Sequence, residues 1–252
     1  MQIKDLKIIV TGAASGLGAS AAKCLTREGA TVIAVDIDRD GLEAVRAEIA
    51  GAGGRIAVHA ADVSIEQDAV NAVKQAVADH GGVNGLINSA GIYRDGLLVH
   101  GDGRKLPLAQ WRKVLDVDLT GTFLMTREVA AHMVSAQTSP GVIINVASIS
   151  RHGNVAQSNY AAAKAAVAAD TRVWARELAR YGIRVAAVSP GLIETPILAD
   201  DLIDPAVLSE YVARIPLGRL GQPREIDSAI KFIIDCDYFT GECVEVNGGF
   251  FF

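Results

Sequence analysis

Tyr160 and Lys164 stand four residues apart in an alanine-rich stretch. Alanine is the strongest helix former, so the stretch predicts a helix from Gln157 to Tyr181. A spacing of four puts the phenol and the ammonium on one face, a turn apart. A free tyrosine titrates near pH ~10, and a neighbouring cation favours the phenolate and lowers that value. The pair is thereby suited to general acid/base work on a substrate oxygen. Ser148 closes the apolar run 142–147, which reads as a buried strand. Its hydroxyl falls at the strand's carboxyl end, the side on which open α/β sheets bind ligands. Tyrosine and lysine also meet at this spacing by chance. What gives the pair weight is a glycine-rich turn far upstream.

That turn is Thr11 to Gly18, between a predicted strand, Leu6–Val10, and a predicted helix, Ala19–Glu28, which Gly29 ends. The glycines are spaced GxxxGxG. Glycines let the backbone approach a pyrophosphate, and a helix N-terminus stabilises negative charge. Gly12, Ser15, Gly16, Leu17 and Gly18 are the candidate contacts, although an ordinary βα turn needing positive φ looks the same. Asp36 ends the strand Thr31–Asp36, at roughly the 20-residue distance where a carboxylate bonds the adenosine ribose. It would repel a 2′-phosphate, and the glycine loop holds no basic residue, so NAD is expected, with Asp36 and Ile37 at the ribose. Arg39 is the feature that pulls toward NADP. The plain alternative for Asp36 is an N-cap for a helix over 39–50.

Asp62 and Val63 follow a third strand, Arg55–Ala60. Asp62 suits the adenine amino group, or simply begins the next helix with Ser64 as N-cap. Asn88, Ala90 and Gly91 follow the strand Asn84–Ile87, small residues on which a cofactor ring can lie. Pro190, Gly191, Ile193 and Thr195 follow the strand Ile183–Val188, again on the ligand side. Residues 92–106 read as a Gly/Asp/Arg-rich solvated surface loop, with a border of the substrate entrance as the alternative. One long helix is expected over 107–136, with Trp111, Leu115, Leu119 and Val129 as its apolar stripe. The apolar segment 197–213 reads as a substrate lid or a pair of core helices, and points to an apolar ligand. Further helix and strand signals lie over Pro223–Ile234 and Cys243–Val246. Phe250, Phe251 and Phe252 are expected at a subunit interface or beside the substrate.

The chain has 252 residues, half of them hydrophobic, and a net charge of −5. Aliphatic runs alternating with alanine-rich helices predict an α/β fold with parallel strands buried on both faces, in a single domain over 1–252. The acidic balance and the lack of a basic cluster argue against nucleic-acid binding. No run of about 18 apolar residues exists to span a membrane, and the amino-terminal apolar run is too short for a signal peptide. Three cysteines without CxxC spacing suit a reducing cytoplasm, and five scattered histidines suggest no metal.

Taken together, Thr11-Gly12-x-x-x-Gly16-x-Gly18, Asp62-Val63, Asn88 to Gly91, Ser148, Tyr160-x-x-x-Lys164 and Pro190-Gly191…Thr195 resemble the short-chain dehydrogenase/reductase family in type and order. The likeness runs over residues 6–249. It implies a Rossmann fold, a doubly wound parallel sheet in three αβα layers, usually in a homotetramer built on the two long helices. It implies NAD-linked exchange between a secondary alcohol and a ketone. By likeness Tyr160 exchanges the proton, Ser148 holds the substrate oxygen, and Lys164 binds the nicotinamide ribose and lowers the tyrosine pKa. Thr195 and the Ile193 backbone would hold the carboxamide. Two features depart from the family pattern. Asp118 stands where the family usually has an asparagine that anchors a water in the proton relay. A carboxylate there would offset the lysine's pull on Tyr160 and shift the activity optimum to alkaline pH. The loop from Ser148 to Tyr160 is about one residue short, which makes Ser150 a rival serine. Within the family, the chain looks like type II 3-hydroxyacyl-CoA dehydrogenases in some segments and 3-oxoacyl-carrier-protein reductases in others. A non-catalytic nucleotide-binding protein is the alternative from another class, suggested by Asp118 alone.

Overall fold

A computed structural model describes residues 1–196 and 205–251. Its frame is one parallel sheet of seven strands in the order β3-β2-β1-β4-β5-β6-β7. The strands are β1 Lys7–Thr11, β2 Thr31–Asp36, β3 Ile56–Ala60, β4 Gly85–Asn88, β5 Gly141–Val146, β6 Ile183–Pro190 and β7 Cys243–Val246. The chain starts in the middle, winds outward through β2 and β3, then returns to place β4 against β1, Ile9 opposite Leu86. Strand order reverses between β1 and β4. In such sheets the crevice at that reversal, beyond the carboxyl ends of the strands, takes the ligand.

Side chains along a strand alternate between faces, and both faces here are covered. Ile8, Val10 and Ile144 pack on one side with Leu25 of helix α1 (Gly16–Arg27) and Ile230 of helix α8 (Pro223–Asp235). Ile9, Leu86 and Ile143 pack on the other with Met125, Val129 and Met133 of helix α5 (Thr122–Ser135). Helices α2 (Arg39–Gly51), α3 (Glu66–His80), α4 (Leu108–Leu115), α6 (Ser158–Leu178) and α7 (Pro205–Arg214) complete the described set. The result is the three-layer Rossmann arrangement expected from the sequence. Burying each Ile, Leu or Val in these layers stabilises the fold by about 1.5–3 kcal/mol.

Local departures from expectation have local causes. Helix α1 begins at Gly16, inside the glycine turn, rather than at Ala19. The cap of α2 is Asp38, whose side chain accepts from the Gly41 amide, so Asp36 is released from that task. Ser64 does not cap α3, which starts after Ile65; its hydroxyl instead donates to Asp62 at 2.6 Å. The long helix over 107–136 is broken by a π turn at Asp116–Gly121. There the Thr122 amide bonds to Leu119, and the Thr122 hydroxyl takes the Asp118 carbonyl at 2.8 Å. The π turn rotates the expected stripe: Val114 and Val117 are buried, whereas Trp111, Leu115 and Leu119 are half-buried.

Phe250 is buried in its own chain, in a satellite cluster with Ile149 and Ile215, and stacks edge-on to Tyr211. Phe251 is exposed. Phe252 and the 197–204 half of the supposed lid lie outside the described residues, and 205–214 forms helix α7.

Candidate active site

A cleft of about 410 Å³ opens beyond the carboxyl ends of β1, β2 and β4. Its floor begins at β1. The buried Thr11 hydroxyl accepts from the amides of Ser89 and Ala90, both at 3.1 Å, and so ties the β4 turn to the β1 turn. Gly12 has φ +65°, and a Cβ there would stand 2.8 Å from the Ala90 backbone. A Cβ on Gly18 would collide with the Gly12 carbonyl oxygen. The β1 and β4 turns can approach this closely only because Gly12 lacks a side chain, and the start of α1 can fold back on its own turn only because Gly18 does.

Ser15 is the N-cap of α1, yet its side chain makes no capping bond. The first-turn amides of α1 therefore remain open to the cleft, the arrangement that binds phosphate. Asp36 lines the same cleft; its Oδ2 accepts from the Ala14 amide at 3.0 Å and its Oδ1 from Asp38. Asp62 lines it too, with its carboxyl below the usual range because Ser64 bonds to it and Lys113 faces it, against the opposing effect of burial. An uncapped helix end, a carboxylate at the end of β2 and glycines where a Cβ would clash together fit a dinucleotide.

The far end carries the acid/base residues. Tyr160 and Lys164 line the cleft, both buried, on the first turns of α6. Lys164 Nζ donates to the Val146 carbonyl at 3.0 Å and lies 3.2 Å from Asp118 Oδ2. Asp118 is fully buried. Its Oδ1 accepts from the Ile92 amide at 2.9 Å, whereas Oδ2 has the ion pair but no well-aligned donor. Burial pushes the Asp118 carboxyl up, and Lys164 pulls it back. Gly91 passes over this pair: a Cβ there would meet Asp118 Oδ2 at 2.8 Å.

The expected lowering of the Tyr160 pKa is not what this geometry produces. Burial foremost, with the Asp118 charge, holds Tyr160 well above the ordinary tyrosine value, and the nearby Ser148 hydroxyl opposes them. The lysine ammonium stands 5.4 Å from the Tyr160 ring centre, and its partner is the aspartate.

Ser148 is buried at the end of β5, where its Oγ accepts from the Ser150 amide at 3.1 Å. The Ser150 hydroxyl donates to Gln157 at 2.9 Å. Of the two serines, Ser148 is the one near enough to act on Tyr160, and neither lines the cleft.

Other expected residues lie behind the wall. Asn88 is buried, donating at 2.9 Å to both Thr126 and Asn145, and Asn145 donates at 2.9 Å to Thr171 of α6. This polar chain crosses from β4 through β5 to the helix that carries Tyr160. Pro190, Gly191 and Ile193 also stand off the cleft, with the Ile193 carbonyl accepting from the Thr195 hydroxyl, which does line it. Ile37 lines it while two-thirds exposed. The sequence did not single out Tyr93, Lys113, Val117, Val146 or Pro196, all of which line the cleft. The signal available for Tyr93 was its position two residues beyond Gly91.

The family model described as enoyl-(acyl carrier protein) reductase matches residues 12–251. With the sheet order and the glycine cradle, this is sufficient: the chain belongs to the short-chain dehydrogenase/reductase family of oxidoreductases. Among its relatives is the 3-oxoacyl-[acyl-carrier-protein] reductase of Thermotoga maritima, 37% identical over 252 residues, 99% of each chain. The human (3R)-3-hydroxyacyl-CoA dehydrogenase is 38% identical over 99% of this chain and 97% of its own. The short-chain reductase protein NovJ of Streptomyces niveus is 40% identical over 96% and 92%.

Proposed function

We propose that the protein is an NAD-dependent oxidoreductase that interconverts a secondary alcohol and a ketone, with Tyr160 as general acid/base. The observation that carries this reading is the position of Tyr160: buried, near Ser148, and in the same cleft as the open α1 end and Asp36.

Gly12, Ser15, Gly16, Leu17 and Gly18 would hold the pyrophosphate, Asp36 and Ile37 the adenosine ribose, and Asp62 and Val63 the adenine. Ala90 and Gly91 would lie under the nicotinamide end, with Thr195 across from them. Asn88, Pro190, Gly191 and Ile193 act from behind by fixing those backbones. Asp36 supports NAD over NADP because its carboxylate would meet a 2′-phosphate. When bound, the cofactor supplies or accepts the hydride.

The protein's own work is to orient and to move one proton. Ser148 holds the substrate oxygen beside Tyr160. In ketone reduction Tyr160 donates its phenolic proton to that oxygen. In alcohol oxidation it must first be a phenolate. Burial and Asp118 hold it as the phenol, so reduction is ready at neutral pH and oxidation requires alkaline pH. Lys164 would hold the nicotinamide ribose, while Asp118 fixes the ammonium and tempers its pull on the phenol.

The decisive experiment is a panel of apolar and aromatic secondary alcohols, their ketones and β-hydroxyacyl thioesters, assayed with NAD(H) and NADP(H) by nicotinamide absorbance. Turnover confined to NADP(H) would overturn the cofactor assignment, and binding of NADH without any turnover would overturn the enzyme reading. A 3-oxoacyl-thioester reductase or 3-hydroxyacyl-CoA dehydrogenase is the second reading, supported by the activities named for the Thermotoga and human relatives. We place the protein in the cytoplasm as a homotetramer through α5 and α6, which would cover the exposed Phe123 and Val173.

A further inference from the structure

Tyr93 follows Gly91 by two residues and shares the cleft wall with Tyr160. The two rings stack with centroids 4.4 Å apart and planes at 34°. The Tyr160 hydroxyl donates to the Tyr93 hydroxyl at 3.0 Å. This contact is held from several sides. Asn159, fully buried, donates to the Arg94 carbonyl at 3.0 Å and accepts from the Tyr160 amide at 2.8 Å. One amide side chain thus joins the backbone beside Tyr93 to the backbone of Tyr160. Gln110 of α4 donates to the carbonyls of Arg94 and Asp95, at 2.9 and 3.0 Å. Gln157 donates to the Asp95 carboxylate at 2.9 Å, and the Gly96 amide to the Ala156 carbonyl at 2.7 Å. Ala156 sits at φ +65°, which a non-glycine residue keeps only where its surroundings impose it.

We propose that Tyr93 is a positioning residue of the reaction centre: its hydroxyl accepts the Tyr160 hydrogen bond in the waiting site and yields that bond to the substrate oxygen. This rests on the reading of Tyr160 as the acid/base. The groups facing Tyr160 are Tyr93 from the β4–α4 segment, Asp118 from the π turn, Ser148 from β5 and Lys164 from α6. Tyr93 is itself pushed up to about 12, by burial foremost and by Asp118 and Asp95, so it stays a phenol at working pH. Because Tyr93 keeps its proton, its O–H can turn and donate to Tyr160 once Tyr160 has ionised, and a bond to the charged form favours that form. Loss of the Tyr93 hydroxyl therefore makes Tyr160 less acidic.

The test is an ultraviolet titration of the tyrosinate band on the full chain. The difference between wild type and Tyr160→Phe isolates Tyr160 from the other tyrosines. The same difference on a Tyr93→Phe background should have a midpoint higher by roughly one pH unit. An unchanged or lowered midpoint overturns the proposal. If Tyr93→Phe does not fold, Tyr93→Leu also removes the hydroxyl and is read against the same criterion. The titration needs no substrate, so it decides the role of Tyr93 even if no alcohol or ketone is turned over, the outcome that would instead defeat the function proposed above. Where turnover is found, the pH profile of oxidation should move to higher pH by the same amount. A merely structural role would lower activity without moving that profile.

Discussion

At the scale of single residues, the site is set by what each polar group faces. Tyr160→Phe keeps the ring and removes the proton carrier. Turnover should fall by about 10²–10⁴-fold, with NADH affinity by fluorescence titration nearly unchanged. Undiminished turnover would sink the acid/base reading. Asp118 raises the Tyr160 pKa, so its removal lowers the pH at which phenolate forms. In Asp118→Asn, the rate of alcohol oxidation against pH should shift to lower pH by about one unit. A profile that does not move would show that the buried charge is silent at the phenol. Tyr160, Lys164 and Ser148 were legible because their types and spacing carry the chemistry. Tyr93 was not, because a single aromatic in a Gly/Asp/Arg-rich stretch reads as loop until Asn159 and Gln110 are seen to grip the carbonyl beside it.

At the scale of elements, the β1 and β4 turns form one unit through the Thr11 hydroxyl. Thr11→Val keeps the shape and leaves two amides without their acceptor. It should cost about 1–3 kcal/mol in urea denaturation. A cost within error of zero would mean that the turns are held by packing alone. The strands were readable as short aliphatic runs bounded by glycines and acids, whereas their register was not, because a slip by one residue in a strand buried on both faces still buries every side chain. The π turn was not readable. The Thr122 hydroxyl bonds the Asp118 carbonyl there, but Thr26 and Thr171 make the same bond inside unbroken helices, and propensity along the helix carries no trace of the break. The Asp36 question was settled by a neighbour: Asp38 caps the helix, so Asp36 is left to the cleft.

At the scale of the whole molecule, the outer faces of α5 and α6 present Phe123 and Val173 to solvent, 42% and 47% exposed. If these faces join subunits, Phe123→Asp combined with Val173→Asp should reduce the mass measured by light scattering from four chains to two or one. An unchanged mass would place the contact elsewhere. Among the described residues no helix is long and apolar enough to cross a membrane. The buried bonds from Asn88 through Asn145 to Thr171 have a consequence for how the protein fails when heated. They anchor the helix bearing the acid/base group to the central strand β4 and its neighbour β5. That group has no private hinge on which to come loose. Residual activity and circular dichroism, followed on one temperature ramp, should therefore collapse together.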